Sequence, residues 1–225
     1  MLVRDFMTAA VVITGRDARI ADAARRMQTK RIRRLPVLDG TRLGGIVTWT
    51  DLARTSPLLT PRSAARSTAA SVDTIRVGDV MTPNPLTVAP DTTIEHTAVL
   101  MREHKIGGLP VMEHGVLAGI ITESDVFEAF IRVMGLRSGG TRLTIRQNEA
   151  ASALADIVNT VRACDAAILS LATYRMHDTQ WTVVRVAAPY ALHVVQTLVE
   201  RGINVTHLAP LPQPGRDDSN DKSRA

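Results

Sequence analysis

Apolar residues fall at Ile20, Ala23, Ala24 and Met27, the spacing of one helix face. The spacing returns at Ile94, Ala98 and Met101. A short β segment precedes each run, Val11 to Thr14 and Leu86 to Val88. Asp17 and Asp91 stand where a carboxylate can cap the helix or face its dipole. Two strands are predicted after the first helix, Leu35 to Leu38 and Leu43 to Thr48, joined by a turn at Asp39-Gly40. A second helix opens after Thr48. From residue 141 the pattern changes. TRLTIRQ predicts a strand, and Leu154, Ile157, Val158 and Val161 predict a helix. AILSLATYRM and WTVVRVA predict two strands about the turn MHDTQ. Leu192, Val195, Leu198 and Val199 predict a helix that ends at Gly202, and INVTHLA a closing strand. The order βαββαβ is the ferredoxin-like plan.

The first pattern is written twice. Val3-Arg4-Asp5-Phe6-Met7-Thr8 matches Val77-Gly78-Asp79-Val80-Met81-Thr82 at an offset of 74. The register then holds without a gap from Asp17 and Asp91 to Asp51 and Asp125. It includes Leu35-Pro36-Val37 on Leu109-Pro110-Val111 and Gly45-Ile46 on Gly119-Ile120. A unit this small has one apolar sheet face and cannot bury it alone, whereas two copies back to back can. The expected fold class is therefore α+β: two βαββα-type repeats packed as a pseudo-twofold pair, then a ferredoxin-like βαββαβ unit. The expected boundaries are 1–56 for repeat one, 57–74 for a linker, 75–136 for repeat two, 140–210 for the last unit and 211–225 for a disordered tail. The linker reading rests on the Ser, Thr, Ala and Pro content of Thr55 to Ser71, and the tail reading on the lack of apolar periodicity from Pro210.

Composition narrows the function. Hydrophobic residues make up 45% of the 225 and aromatics 3%, so the cores are aliphatic and few platforms exist for stacking single-stranded nucleic acid. Net charge is +5, carried by arginine, since Lys30, Lys105 and Lys222 are the lysines. That balance suits nucleic acid or small phosphorylated ligands. Cys164 is the one cysteine, which excludes an internal disulfide and fits a reducing compartment. No apolar run reaches the length of a membrane span, and MLVRDFMT has no apolar leader core, so a cytoplasmic chain without a membrane is expected. His96, His104, His114, His177, His193 and His207 are scattered without metal-ligand spacing, and no nucleophile elbow or Walker pattern occurs. No helix-turn-helix is apparent, so a nucleic-acid partner is not expected. The expectation is a protein that is not an enzyme, with no catalytic residue, no metal and no required cofactor.

The repeated phrase carries the chemistry. GGIVTWTD, Gly44 to Asp51, and AGIITESD, Ala118 to Asp125, place a Thr three residues before an Asp at a strand-to-helix corner. One reading is a capping box. The other is a site: the carboxylate accepts hydrogen bonds from vicinal hydroxyls such as those of ribose, and a hydroxyl at a helix N-terminus suits phosphate. One Thr can do both.

Met-Thr, then Ile-x-x-Leu-Pro-Val, then Gly-Ile-(Val/Ile)-Thr-x-x-Asp resembles the cystathionine-β-synthase (CBS) domain, and two in tandem resemble a Bateman module over residues 1 to about 134. The resemblance implies regulatory binding of an adenosine compound (AMP, ADP, ATP, S-adenosylmethionine or a cyclic dinucleotide) between the repeats. It implies Asp51 and Asp125 on ribose, Thr48 and Thr122 on phosphate, and Ile32 and Ile106 beside the base. It also implies a homodimer, and an unknown enzyme or protein as the regulated partner. The sites differ, because Arg33-Arg34 in copy one stand where copy two has Gly107-Gly108. Family precedent places an arginine at the position of Arg33 on the phosphate. The first site is expected to prefer more phosphorylated nucleotides and the second a less charged one.

Residues 141 to 209 resemble an ACT-type domain, and a CBS pair followed by an ACT domain is the arrangement of acetoin-utilisation (AcuB-type) proteins. The ACT loop that commonly reads Asp-x-Pro-Gly here reads Gln147-Asn148-Glu149-Ala150-Ala151-Ser152, without Gly or Pro. Asn148 and Ser152 are its ligand candidates or simple helix caps, and oligomerisation is an equal expectation for this unit. The alternative for the whole chain is an interaction scaffold that binds no ligand.

Overall fold

The structure, a computed structural model, describes residues 1–55, 74–147, 153–187 and 189–210. The expected linker up to residue 73, the candidates Asn148 and Ser152, and the tail from Leu211 lie outside the described residues. The chain divides into two compact units, Met1–Phe127 and Glu128–Ala225.

In the first unit, helix α1 (Ile20–Lys30) buries Ile20, Ala23, Ala24 and Met27. They pack on Leu35 and Val37 of β2 (Arg34–Asp39), Val47 of β3 (Arg42–Thr48) and Leu52 of α2 (Trp49–Thr55). The second repeat repeats the scheme with α4 (Ile94–His104), β5 (Gly108–Glu113), β6 (Val116–Thr122) and α5 (Glu123–Val133). Both hairpins carry a register shift at the same place, between Val37 and Leu38 and between Val111 and Met112. Helices α1 and α4 both end on a left-handed residue, Arg31 (φ 53) and Lys105 (φ 54). Where α1 buries Ala23, α4 buries Thr97, whose hydroxyl donates to Thr93 O at 2.9 Å. Asp17 and Asp91 are not the caps: the helices begin at Ile20 and Ile94, and the cap positions are Arg19 and Thr93. Thr93 Oγ1 accepts from His96 N at 3.2 Å. The expected β segments shrink to β1 (Thr14–Gly15), which pairs in parallel with β2, and to a single bridge from Val88 to Val111.

The repeats exchange their leading segments. Thr8 of the first pairs with Ile120 of the second through Thr8 N to Ile120 O (2.9 Å) and Ile120 N to Thr8 O (3.0 Å). Thr82 and Pro83, which form β4 after the short helix α3 (Val77–Val80), pair with Ile46 and Gly45 of β3. Close approach demands the glycines here. A Cβ on Gly45 would stand 2.5 Å from Met81 Sδ, and one on Gly119 2.6 Å from Met7 Sδ.

The second unit holds β7 (Thr141–Arg146), α6 (Ala153–Ala163), β8 (Ile168–Met176), β9 (Thr179–Val186), α7 (Ala191–Glu200) and β10 (Asn204–Pro210). The sheet is antiparallel in the order β10-β7-β9-β8, as the ferredoxin-like plan requires. Its core joins Leu143, Ile145, Val184 and Val186 to Ile157, Val161, Val194 and Leu198. Cys164 is a buried member of that core. Contacts of this unit reach back before residue 140. The reason is packing: Ser170 Oγ donates to Met134 O at 2.9 Å, Arg185 Nη1 donates to Gly139 O, and Arg137 makes a bidentate pair with Glu128 at 2.7 and 2.8 Å. No described helix is long and apolar enough to cross a membrane.

Candidate functional site

Each repeat runs a buried strand end, β3 or β6, directly into a helix. Thr48 and Thr122 precede the helices, and Asp51 and Asp125 are the third helical residues. Asp51 Oδ2 accepts from Thr48 N at 2.8 Å and from Thr48 Oγ1 at 2.7 Å, and Asp51 N donates back to Thr48 Oγ1 at 3.3 Å. Asp125 Oδ2 accepts from Thr122 N and Oγ1 at the same 2.8 and 2.7 Å. Both corners are capped, and each carboxylate uses one oxygen to do it. Oδ1 of either aspartate accepts no hydrogen bond among the described residues. The first helical amides are also engaged: Trp49 N donates to Arg33 O at 2.8 Å and Glu123 N to Gly107 O at 3.2 Å.

The second corner opens on a cleft of about 440 Å³. Thr122, Glu123, Ser124 and Asp125 form one side, with Ile120 and Gly107. The first repeat supplies the other side, from Thr8, Ala10, Val11 and Val12 and from Arg31, Ile32, Arg33 and Arg34. The exchanged segment explains this mixture, because pairing Thr8 to Ile120 draws the chain of repeat one across the corner of repeat two. The volume lies within the about 300–1,000 Å³ of small-molecule sites.

Arg34 crosses between the repeats. A Cβ on Gly107 would stand 2.7 Å from its Nη2 and 3.0 Å from Glu123 Oε2, and a Cβ on Gly108 would overlap Nη1. Both glycines of the second copy thus make room for Arg34 of the first. Nη1 is buried without an acceptor. Burial draws the Arg34 pKa down, the charge of Glu123 opposes this, Arg33 pulls the same way as burial, and Asp125 opposes it. A guanidinium stays charged at neutral pH regardless, so the cleft holds a cation with an open donor.

Of the residues named from sequence, the structure brings Ile32, Arg33, Arg34, Gly107, Thr122 and Asp125 to this cleft. Thr48 and Asp51 form the other corner, and Ile106 does not line the cleft. The arginines expected to mark the first site sit with Asp125. Trp49 is half-buried against the core of repeat one. Sequence reasoning missed Thr8, Glu123 and Ser124. Glu123 had a signal, since it stands where the first repeat has Trp49. Among the described residues no group of three His, Cys, Asp or Glu could hold a metal.

The family model described as CBS domain matches residues 3–57 and 77–132. A CBS domain-containing protein of Dictyostelium discoideum is 32% identical over 138 residues, covering 60% of this chain and 94% of that protein. The crystal structure of a protein from Vibrio cholerae assigned to acetoin utilization (AcuB) is 32% identical, covers 61% of this chain and 96% of that one, and has a TM-score of 0.50. The structure of CBSX2 in complex with AMP is 33% identical, covers 59% of this chain and 97% of that one, and has a TM-score of 0.48. The chain belongs to the CBS-domain family and carries two CBS domains in tandem.

Proposed function

We propose that this protein is a non-catalytic regulator that senses an adenosine-containing ligand in the cleft between its CBS repeats. AMP, ADP, ATP and S-adenosylmethionine are the ligands in view. The observation that carries the reading is the half-used carboxylate of Asp125. Oδ2 caps α5, and Oδ1 is left for a vicinal diol. Around it stand the charge and shape a nucleotide needs: Arg33 and Arg34 for phosphate, Ile32 and Val12 for the base, and Thr122 at a helix start. In this reading the Asp125 cleft prefers phosphorylated ligands, and the Asp51 corner, without arginines of its own, takes a less charged one. Dimerisation and an ACT-like role for the second unit pass the bound state to a regulated partner.

A thermal-shift screen of adenosine, AMP, ADP, ATP and S-adenosylmethionine tests the proposal. A ligand that binds only the folded form stabilises it by about 2.7 kcal/mol at 100 times its Kd. Stabilisation by at least one of them is expected. No response to any leaves the chain an interaction scaffold.

A further inference from the structure

A second cavity, of about 590 Å³, lies within the second unit, where β7 and β8 end and β9 and β10 begin. Arg146, Gln147, Arg175, Asp178, Gln180 and Asn204 are among its lining residues. The hairpin between β8 and β9 turns through His177 (φ 47) and Asp178 (φ 59), which returns Gln180 opposite Arg175. Gln147 N donates to Gln180 O at 2.9 Å, fixing the floor.

What this end of the sheet lacks is acceptors. Gln147 Nε2 is buried and has none. A buried donor without a partner is rare in folded proteins, and Gln147 Nε2 calls for an acceptor from outside. The side chains of Arg146 and Arg175 make no hydrogen bond or ion pair among the described residues. Two guanidinium groups against one carboxylate, Asp178, leave the lining cationic. Planar guanidinium groups favour carboxylate and phosphate oxygens.

We infer that this strand end is a second ligand site, which takes a small multiply charged oxyanion, a dicarboxylate or a phosphorylated acid, on Arg146, Arg175 and Gln147. It is built from other residues than the CBS cleft and does not rest on nucleotide binding there.

The test is calorimetric titration of the full chain with malonate, inorganic phosphate and L-alanine. Malonate binding that depends on Arg146 and Arg175 assigns the dicarboxylate, and phosphate binding that depends on them assigns the phosphorylated acid. The double variant Arg146→Gln, Arg175→Gln should weaken the bound anion about 10- to 150-fold. Gln147→Leu, which changes no charge, should also weaken it, and Arg102→Gln, on the exposed face of α4, should leave it unchanged. The inference is overturned if neither anion binds, if L-alanine alone binds, or if the Arg146, Arg175 and Gln147 variants all keep the binding.

Discussion

The Arg34 guanidinium of one repeat rests on the bare Cα of Gly108 in the other, in space that a Cβ would fill. The contact makes the two halves of the pair inequivalent. It also holds the buried Nη1 of Arg34 beside the corner of Asp125.

Arg34→Gln should weaken AMP about 10- to 150-fold, the range for a hydrogen bond to a charged group, and leave adenosine unchanged. Gly108→Val should act in the same direction by displacing Arg34. Equilibrium titration with both ligands reads the difference. Equal losses for AMP and adenosine would place Arg34 outside phosphate recognition.

Gly45→Ala and Gly119→Ala should each destabilise the first unit by about 1–3 kcal/mol, as overpacking does. The new methyl meets Met81 Sδ at 2.5 Å and Thr82 O at 2.9 Å in one case, and Met7 Sδ at 2.6 Å and Thr8 O at 3.2 Å in the other. Urea unfolding followed by circular dichroism measures the loss. Gly115→Asn, in a turn with nothing near its Cβ position, is the milder comparison.

Arg185 is 1% exposed, leaves Nε without an acceptor and lies directly across from Arg142. Burial lowers its pKa, and Arg142 adds to the effect. Its bond to Gly139 O, at 3.3 Å, is long. Replacing such a buried charge by an apolar chain of similar length is often neutral or stabilising by about 1–4 kcal/mol. Arg185→Met should therefore hold or raise the unfolding midpoint in urea, and a large drop would show that the cation anchors the residue 134–140 segment.

The strands and main helices were legible because the same periodicity is written twice, and because each hairpin turn carries Gly40 or Gly115. The exchange of leading segments was not. A repeat offset shows that Thr8 and Thr82 are equivalent, but not which sheet each one joins. The packing of residues 134–139 on the second unit was hidden for a related reason: helical spacing continues through Glu128, and only the contacts of Met134 and Gly139 show where that end packs. The Thr-x-x-Asp corners were readable as both cap and site. Their geometry puts the cap on one carboxylate oxygen and leaves the other without a partner among the described residues, which no spacing rule could reveal. The arginines were legible as an asymmetry, yet their place beside Asp125 came only with the fold.

The most direct measurement pairs an AMP titration with a thermal melt of Asp125→Ala. Losing the cap should cost about 0.5–2 kcal/mol of stability. Losing the acceptor should weaken AMP about 10- to 150-fold. Both losses together are the expected result. A lowered melt with unchanged AMP affinity would contradict the account and leave Asp125 as a helix cap alone.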